Sequence, residues 1–537
     1  MHWGRIFKQH KRVPEKRGDG IAGVTGARRR LAAALALACL FASAACGGSG
    51  NGAGSGASDT LVVGMAETTA SMNPALCPLT AYQYFAYDPV IYQKPDGSYA
   101  PDLATSWGYV GKGNKSFEFT LRKDAKFADG TALTAAAAKA SLEYFLKAKG
   151  PNLSLAGPIS KISAVDEYTV RIDYKKAFPS AVASLSQDSS FGYLIGPKGV
   201  ADPKSLESTS DGVGHYTLTA QQTTADSVYT FLPDKHYFNQ DAITYKKVQL
   251  KPYASQSAEL KALQSGQIQY AQNVASVNAG AVKSAKMNLS AGGTRWSGLV
   301  VEDWDSAPLN NVKVRQAIQY AINRPQIVKA VYSGYATAKY QIADKGTVGY
   351  LDSEQTRYSY DPDKAKQLLA EAGYADGVTL SLIDATQFDA NGVLAQALAD
   401  QLSKVGITLK LHVVAGNFSV YLQQLNSKKY QTAVGGANTG ETYYATTSLM
   451  ASSAFPFTDA TAENLLAKAA AADKSHQAAA MEAVNRYFDE QSWFIPVATM
   501  RTLQVTAPSV KNVPATFATT DINPVSPVTE DNWSPAS

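Results

Sequence analysis

The sequence predicts an α/β protein, and three observations carry that prediction. Apolar runs that suit buried strands, such as Leu61-Val62-Val63-Gly64-Met65, alternate with segments of helical spacing. Val314, Ala317, Ile318, Ala321 and Ile322 recur at i, i+3, i+4, i+7 and i+8, the stripe of a helix packed on one side. Gly377–Ile383 and Ile407–Leu411 read as strands around a helix near Leu394–Val405, a βαβ-like alternation.

The chain begins with an export signal. Arg28, Arg29 and Arg30 precede an apolar run, Leu31 to Ala45, whose last residues are small. A positive start, a short apolar core and a small-residue cleavage site describe a secretory signal peptide over residues 1–45. The core is shorter than the ~20 residues that cross a bilayer, so a permanent membrane helix is the weaker reading. The basic lead, residues 1–27, is longer than a signal needs. It is either a long n-region, with Arg28-Arg29 as a twin-arginine echo, or it lies before a true start near Val24.

Cys46 directly follows the small residues, an arrangement that resembles the lipobox of bacterial lipoproteins, with Ser43 where that motif usually has Leu. The resemblance implies an acylated Cys46 as the mature N-terminus and a lipid anchor on the extracytoplasmic face of the cell membrane. Gly47 to Ser58 is a Gly/Ser-rich run with no apolar surface to offset the entropy of ordering. As a flexible coil it spans about 17–21 Å, enough to hold a soluble body just off a membrane.

Removing the signal changes the charge. Residues 1–45 carry nine Lys/Arg against two acids, a surplus of seven, while the whole chain is +5, so the mature body is −2. The basic pI therefore belongs to the signal and gives no reason to expect nucleic acid. A near-neutral body of this size splits into two or more lobes. Of the three cysteines only Cys77 stays in the body once Cys39 leaves and Cys46 is acylated, which excludes an internal disulfide framework. Cys77 is expected to be a buried, inert thiol.

After the first strand comes a polar loop, Glu67 to Ala70, then an aromatic cluster of Tyr82, Tyr84, Phe85 and Tyr87. Pro95 to Ser98 and Asp129 to Thr131 read as turns, and Phe117 to Leu121 alternates as a half-exposed strand should. Thr134 is placed to cap an alanine-rich helix running to about Phe145. Asn323, Pro325 and Gln326 restart a helix, and Asp361-Pro362 opens another whose stripe is Ala365, Leu368, Leu369 and Ala372, closed by Gly373. Arg315 is expected as a structural ion pair or a helix-surface charge. The acid pairs Glu302-Asp303 and Asp489-Glu490 are expected to be solvated.

A series of motifs now stands in order: Tyr99 to Trp107 (YAPDLATSW), Phe117 to Arg122, Lys126 to Thr134 (KFADGTALT), Asp211 to Tyr216, Leu263 to Ile268, Pro308 to Arg324, and Tyr360 through Tyr374. The set resembles the solute-binding proteins of ABC importers in the peptide/nickel family, which includes oligopeptide- and dipeptide-binding proteins. It covers nearly all of residues 59–515, with His215 where the family has proline and Asn323 where aspartate is usual. The resemblance implies a two-lobed periplasmic-binding-protein-like fold, type II, of the large peptide-binding class with an extra subdomain. Lobe I would take residues 59–90 and 212–305, the extra subdomain 91–211, lobe II 306–498, and the return to lobe I with the tail 499–537. It implies a monomer that passes an oligopeptide, or another small polar solute, to ABC permease subunits.

Two α/β lobes closing on a solute place it at strand carboxyl ends and in the loops beyond. Candidate ligand contacts are accordingly Glu67, Thr68 and Thr69, and a second stretch from Asn417 to Leu449 that holds Phe418, Gly436, Asn438, Glu441 and Tyr443. Trp296 and Tyr443 are possible stacking surfaces and equally possible core. Family members known for peptides resemble the second stretch, with an aromatic at the Phe418 position and an aspartate that captures the peptide's amino group. Gly440 stands at that aspartate's place, and one inserted residue brings Glu441 into the role. Oligosaccharide, another polar solute or a metal chelate are the alternative ligands.

Enzyme readings find little support: there is no GxSxG, S-x-x-K or HExxH and no phosphate-cradling glycine loop. His215, His236, His412 and His476 are scattered and read as structural, so no resident metal or cofactor is expected. A secreted hydrolase is the remote alternative.

Overall fold

The apolar runs of the sequence become strands and helices in a computed structural model. It describes residues 59–65, 71–77, 81–150, 153–187, 189–274, 278–332, 334–385, 392–414, 418–437, 442–455, 457–517, 524–527, 530 and 532–536. The signal peptide, Cys46 and the linker lie outside those residues. The chain divides into Met1–Ser55 and Gly56–Ser537, and every described residue belongs to the second unit.

The strand β1 (Thr60–Met65) is buried from Leu61 onward. Next, β2 (Ala104–Tyr109), β3 (Ser116–Leu121), β4 (Ile159–Ala164) and β5 (Thr169–Tyr174) form a separate antiparallel sheet in the order β2-β3-β5-β4. Phe117, Phe119 and Leu121 are buried while Ser116, Glu118 and Thr120 are half-buried, the alternation read from sequence. The alanine-rich helix α1 (Ala135–Ala148) begins where the Thr134 side chain accepts the Ala137 N–H. Cys77 is buried, its thiol 3.2 Å from the Ser71 carbonyl.

Then come β6 (Tyr216–Leu218), β7 (Tyr229–Pro233), β8 (Lys247–Pro252), α2 (Gln256–Gln264), β9 (Tyr270–Val274) and the long β10 (Asn288–Val301). The second half holds α3 (Val312–Ala321), α4 (Arg324–Val331), β11 (Ala336–Ala338), α5 (Pro362–Glu371), β12 (Val378–Ala385), α6 (Val393–Ser403), β13 (Ile407–Val414), α7 (Phe418–Leu425), β14 (Thr432–Gly435), α8 (Thr442–Ser452), α9 (Ala460–Ala471) and α10 (Gln477–Gln491). The chain returns through β15 (Phe494–Thr506) and the short β16 (Thr516–Phe517).

One sheet joins the halves in the order β13-β12-β14-β10-β15-β9-β1-β8-β7-β6, with β11 on β15 and β16 on β10. The parallel trio β12, β13 and β14 lies at one end; β1, parallel to β8 and β9, lies at the other. Among the described residues only β10 and β15, antiparallel to each other, run the distance between. Helices cover both faces of the second half. The stripe Val314, Ala317, Ile318, Ala321, Ile322 packs with Leu368, Leu369, Leu394, Leu398 and Leu402, while Trp296, Leu466, Met481, Val484 and Phe488 form a separate core cluster.

The helix starts follow the sequence. Asn323 accepts the Gln326 N–H, Asp361 accepts the Lys364 N–H, and Gly373 takes φ 88° just past α5. Three charges differ from expectation. Arg315 is neither an ion pair nor a surface charge: it is buried and donates to the carbonyls of Leu309 and Gln491 and to the Gln491 side chain. Burial pushes its pKa down to about 10. Glu302 and Asp489 are buried, not solvated, while their neighbours Asp303 and Glu490 are half-exposed. In each pair one acid turns inward, because α10 and the end of β10 are covered on one side. Glu302 is matched there by the Ser453 hydroxyl and the Ala454 N–H.

Candidate functional site

The parallel strands of both halves end toward the same place. In one half β9 ends at Val274, level with Leu503 of β15; in the other β14 ends at Gly435, level with Gly298 of β10. Between these levels lies a middle segment in which Thr294 pairs with Arg501, Arg295 with Met500, Trp296 with Thr499 and Ser297 with Ala498. The ladder slips between Gly292 and Thr294 and again between Ser297 and Gly298, so a bulge bounds this segment on each side. Ligands in open α/β sheets collect beyond strand carboxyl ends, and here both sets converge on one stretch.

On its outer edge, β10 is paired with β16 at Ala291–Gly292 and with β14 from Gly298. Among the described residues no strand lies along that edge between them. One contact falls there, the Trp296 backbone N–H donating to the Ala437 carbonyl at 3.1 Å.

Residues 66–70, 275–277, 386–391, 415–417 and 438–441, which follow β1, β9, β12, β13 and β14, lie outside the described residues. Glu67, Thr68, Thr69, Asn438 and Glu441 are therefore not placed. Phe418 begins α7, and its side chain likewise lies outside the described part. Trp296 is on the middle segment, its indole wholly buried in the core cluster of the second half and the indole N–H without a hydrogen-bond partner. Gly436 abuts it: a Cβ on Gly436 would stand 1.8 Å from the Trp296 carbonyl oxygen, so only glycine lets the chain after β14 come that close. Tyr443, in the first turn of α8, is half-buried against the same cluster.

Sequence reasoning missed four groups near this segment. Lys339, buried on the residue after β11, donates to Asp344 and to the Ala343 carbonyl, and Asp344 also accepts the Thr499 hydroxyl at 3.2 Å. The loop continues to Thr347, whose hydroxyl is 3.3 Å from that of Thr442 at the start of α8. On the other half Glu259 of α2 is buried beside Gly64 and accepts the Gln272 N–H where β9 slips against β15. Its second oxygen and the Gln272 amide nitrogen have no partner, and burial pushes the carboxyl up to about 7. Arg295 is half-buried, its charge disfavoured by burial and favoured by nearby Tyr421. Helical periodicity could not show Glu259 or Lys339, but two-residue alternation next to Trp296 marks Arg295 as facing the other way.

Among the described residues no group of three His, Cys, Asp or Glu could hold a metal ion, and no helix is long and apolar enough to cross a membrane.

Residues 98–458 match the profile of the bacterial extracellular solute-binding proteins, family 5 Middle. The glutathione-binding protein GsiB of Salmonella choleraesuis is 29% identical over 354 residues, covering 64% of this chain and 67% of its own. The agropinic-acid-bound AgaA from A.tumefacien R10 superposes with a TM-score of 0.74 at 23% identity, over 89% of this chain and 99% of that one. DppA from Helicobacter pylori, in complex with peptide STSA, gives 0.72 at 20% identity, over 89% and 98%. NikZ from Campylobacter jejuni, with Ni(L-His), gives 0.71 at 20% identity, over 89% and 99%. The shared architecture is the type II periplasmic-binding-protein fold. With two sets of strand ends meeting at one pair of crossing strands, and the family profile spanning most of the described body, the chain belongs to the family 5 extracellular solute-binding proteins, the extracytoplasmic receptors of ABC importers.

Proposed function

We propose that this receptor captures oligopeptides between its lobes by hinge closure and delivers them to ABC permease subunits. It works as a monomer held to the outer membrane face through a lipid on Cys46. The observation that favours a peptide is the part of the β10 edge between β16 and the Ala437 contact at Trp296, along which no described strand is paired and an extended main chain could add its own hydrogen bonds. Loose side-chain selectivity follows from such backbone pairing. Glutathione and the STSA peptide, named for two of the similar proteins, are both peptidic. Glu441 takes the peptide's amino group in place of the family's aspartate, and the bulges at the two sides of the middle segment are the hinge.

A thermal-shift screen with peptide, oligosaccharide and metal-chelate panels tests the ligand class. A true ligand at a hundredfold excess over Kd adds about 2.7 kcal/mol of stability. Stabilisation by sugars or chelates but not by peptides overturns the assignment. Glu441→Gln should weaken peptide binding without unfolding the body. Metabolic labelling with a clickable fatty acid should mark the wild type and not Cys46→Ala.

A further inference from the structure

We infer that Asn114 is an interlobe latch: its carboxamide holds the two halves together at a point outside the middle segment and so sets how tightly a solute is kept. This rests on the reading that the halves close by hinge motion.

The latch is made by a turn and a helix end that are far apart in sequence. Asn114 is in the turn between β2 and β3, and its Nδ2 donates to the carbonyls of Ala470 and Ala472 at 2.8 and 3.1 Å. A carboxamide nitrogen carries two hydrogens, and both find an acceptor here. Ala470 is in the last turn of α9, and Ala472 is the residue that ends it. Carbonyls at the end of a helix have no partner within the helix, so they are open to a donor from outside.

The two sides of the contact belong to different cores. Phe117, Phe119 and Phe178, which flank the turn, pack in one cluster with Val63, Phe231 and Val248 of the first half. Leu466 and Ala469 of α9 pack in another, with Trp296, Val484 and Phe488 of the second half. The crossing strands β10 and β15 join these bodies, and a bond that bridges them elsewhere is made or broken by their relative rotation.

The turn is held in place for this contact. Gly111, Gly113 and Asn114 all have positive φ, at 79°, 78° and 51°. The Asn114 carbonyl accepts the Phe178 N–H at 2.9 Å, the Lys115 carbonyl accepts the Tyr174 N–H at 2.7 Å, and the Val110 N–H donates to the Ser116 carbonyl at 2.8 Å. A fixed backbone aims the side chain, so little ordering is left to do when the halves meet. Left-handed backbone alone is met by glycine, as at Gly111 and Gly113; what asparagine adds is the donor. Asn114 is half-buried, and two neutral hydrogen bonds at such a place bias the halves toward closure by about threefold to tenfold. Solute affinity follows the population of the closed form.

Two variants test the latch. Asn114→Gly removes the carboxamide and suits the left-handed backbone, while Asn114→Asp keeps the shape but turns an acceptor toward two carbonyls. Small-angle X-ray scattering of each purified protein, without solute and in excess peptone hydrolysate, reads the separation of the halves, and mass spectrometry counts the peptone solutes retained. Without solute both variants should have a larger radius of gyration than the wild type, and their retention should fall about threefold to tenfold. Excess hydrolysate should return them to the wild-type radius, which a merely structural role for Asn114 would not produce. Wild-type radii and retention in both variants overturn the latch and leave hinge closure standing. Tighter retention also overturns it, since the contact would then brace the open form. Variants that expand, retain solute and stay expanded uphold the latch and overturn closure around the solute. If Asn114→Gly does not fold, Asn114→Asp decides.

Discussion

The Nδ1 nitrogen of His215 stands 3.3 Å from Oδ1 of Asp88, and both side chains are buried. The other carboxylate oxygen takes the Tyr237 hydroxyl at 2.6 Å, and His215 Nε2 is 3.0 Å from the Ser526 carbonyl, so one ring ties three distant pieces of chain together. The resemblance of Asp211 to Tyr216 to the family's motif implies a proline at this place, and Pro would have no polar ring to offer. His215→Ala should destabilise the body by about 1–3 kcal/mol, because it empties a wholly buried site, removes the Nε2 contact with the Ser526 carbonyl and takes the ring away from the buried Asp88 carboxyl. It should also make the segment around Ser526 more sensitive to protease. Urea unfolding that overlays the wild type would show the ring to be idle.

Gly436→Ala sets a methyl group against the Trp296 carbonyl, a backbone atom that cannot swing aside. The strain should cost about 1–3 kcal/mol and weaken solute binding together with stability. Gly280→Ala is the control, since a Cβ there meets nothing within 4 Å and should be neutral or mildly stabilising. Equal melting temperatures for the two variants would contradict the close approach.

Asp344 neutralises a buried lysine. Asp344→Ala leaves Lys339 charged in a site with only the Ala343 carbonyl left to it, and should cost about 3–5 kcal/mol. Adding Lys339→Met should recover much of the loss, which a double-mutant cycle in urea would measure. A strictly additive cycle would mean that the two side chains do not interact.

Glu259 makes the body less stable as the medium turns alkaline. Its folded pKa, about 7, exceeds the ordinary value of 4.5, so the protonated carboxyl is the form the fold prefers. The stabilisation is complete below pH 4.5, falls as pH rises toward 7, and is gone above it. The difference amounts to roughly 3 kcal/mol. Glu259→Gln should flatten that part of the stability–pH profile, and an unaltered slope in the variant would place the titration elsewhere.

Much of the scaffold is written locally. The stripes of α3 and α5, the caps Thr134, Asn323 and Asp361, and the alternation in β3 depend on residues a few positions apart, so they can be read from sequence. Which charge turns inward is decided by what covers it. That is why Arg315, Glu302 and Asp489 depart from the surface positions that sequence suggests for them. The site is legible in a narrower sense. Trp296 and Gly436 fall at the convergence of strand ends, but the contact between them depends on how two remote stretches of chain meet. Glu259, Lys339 and Asp344 carry no motif, since their partners are backbone atoms and loops brought close only by the sheet.

Cys77 is sheltered, its sulfur turned toward a backbone carbonyl. In a form that starts at Asp59, after Cys39 and Cys46, the body would offer thiol-reactive dyes very little of its own to label. Two new surface cysteines, one in each half, could then carry a fluorophore pair whose separation reports clamp motion in real time. The same shielding would let the receptor be built into a reagentless sensor for whatever it carries.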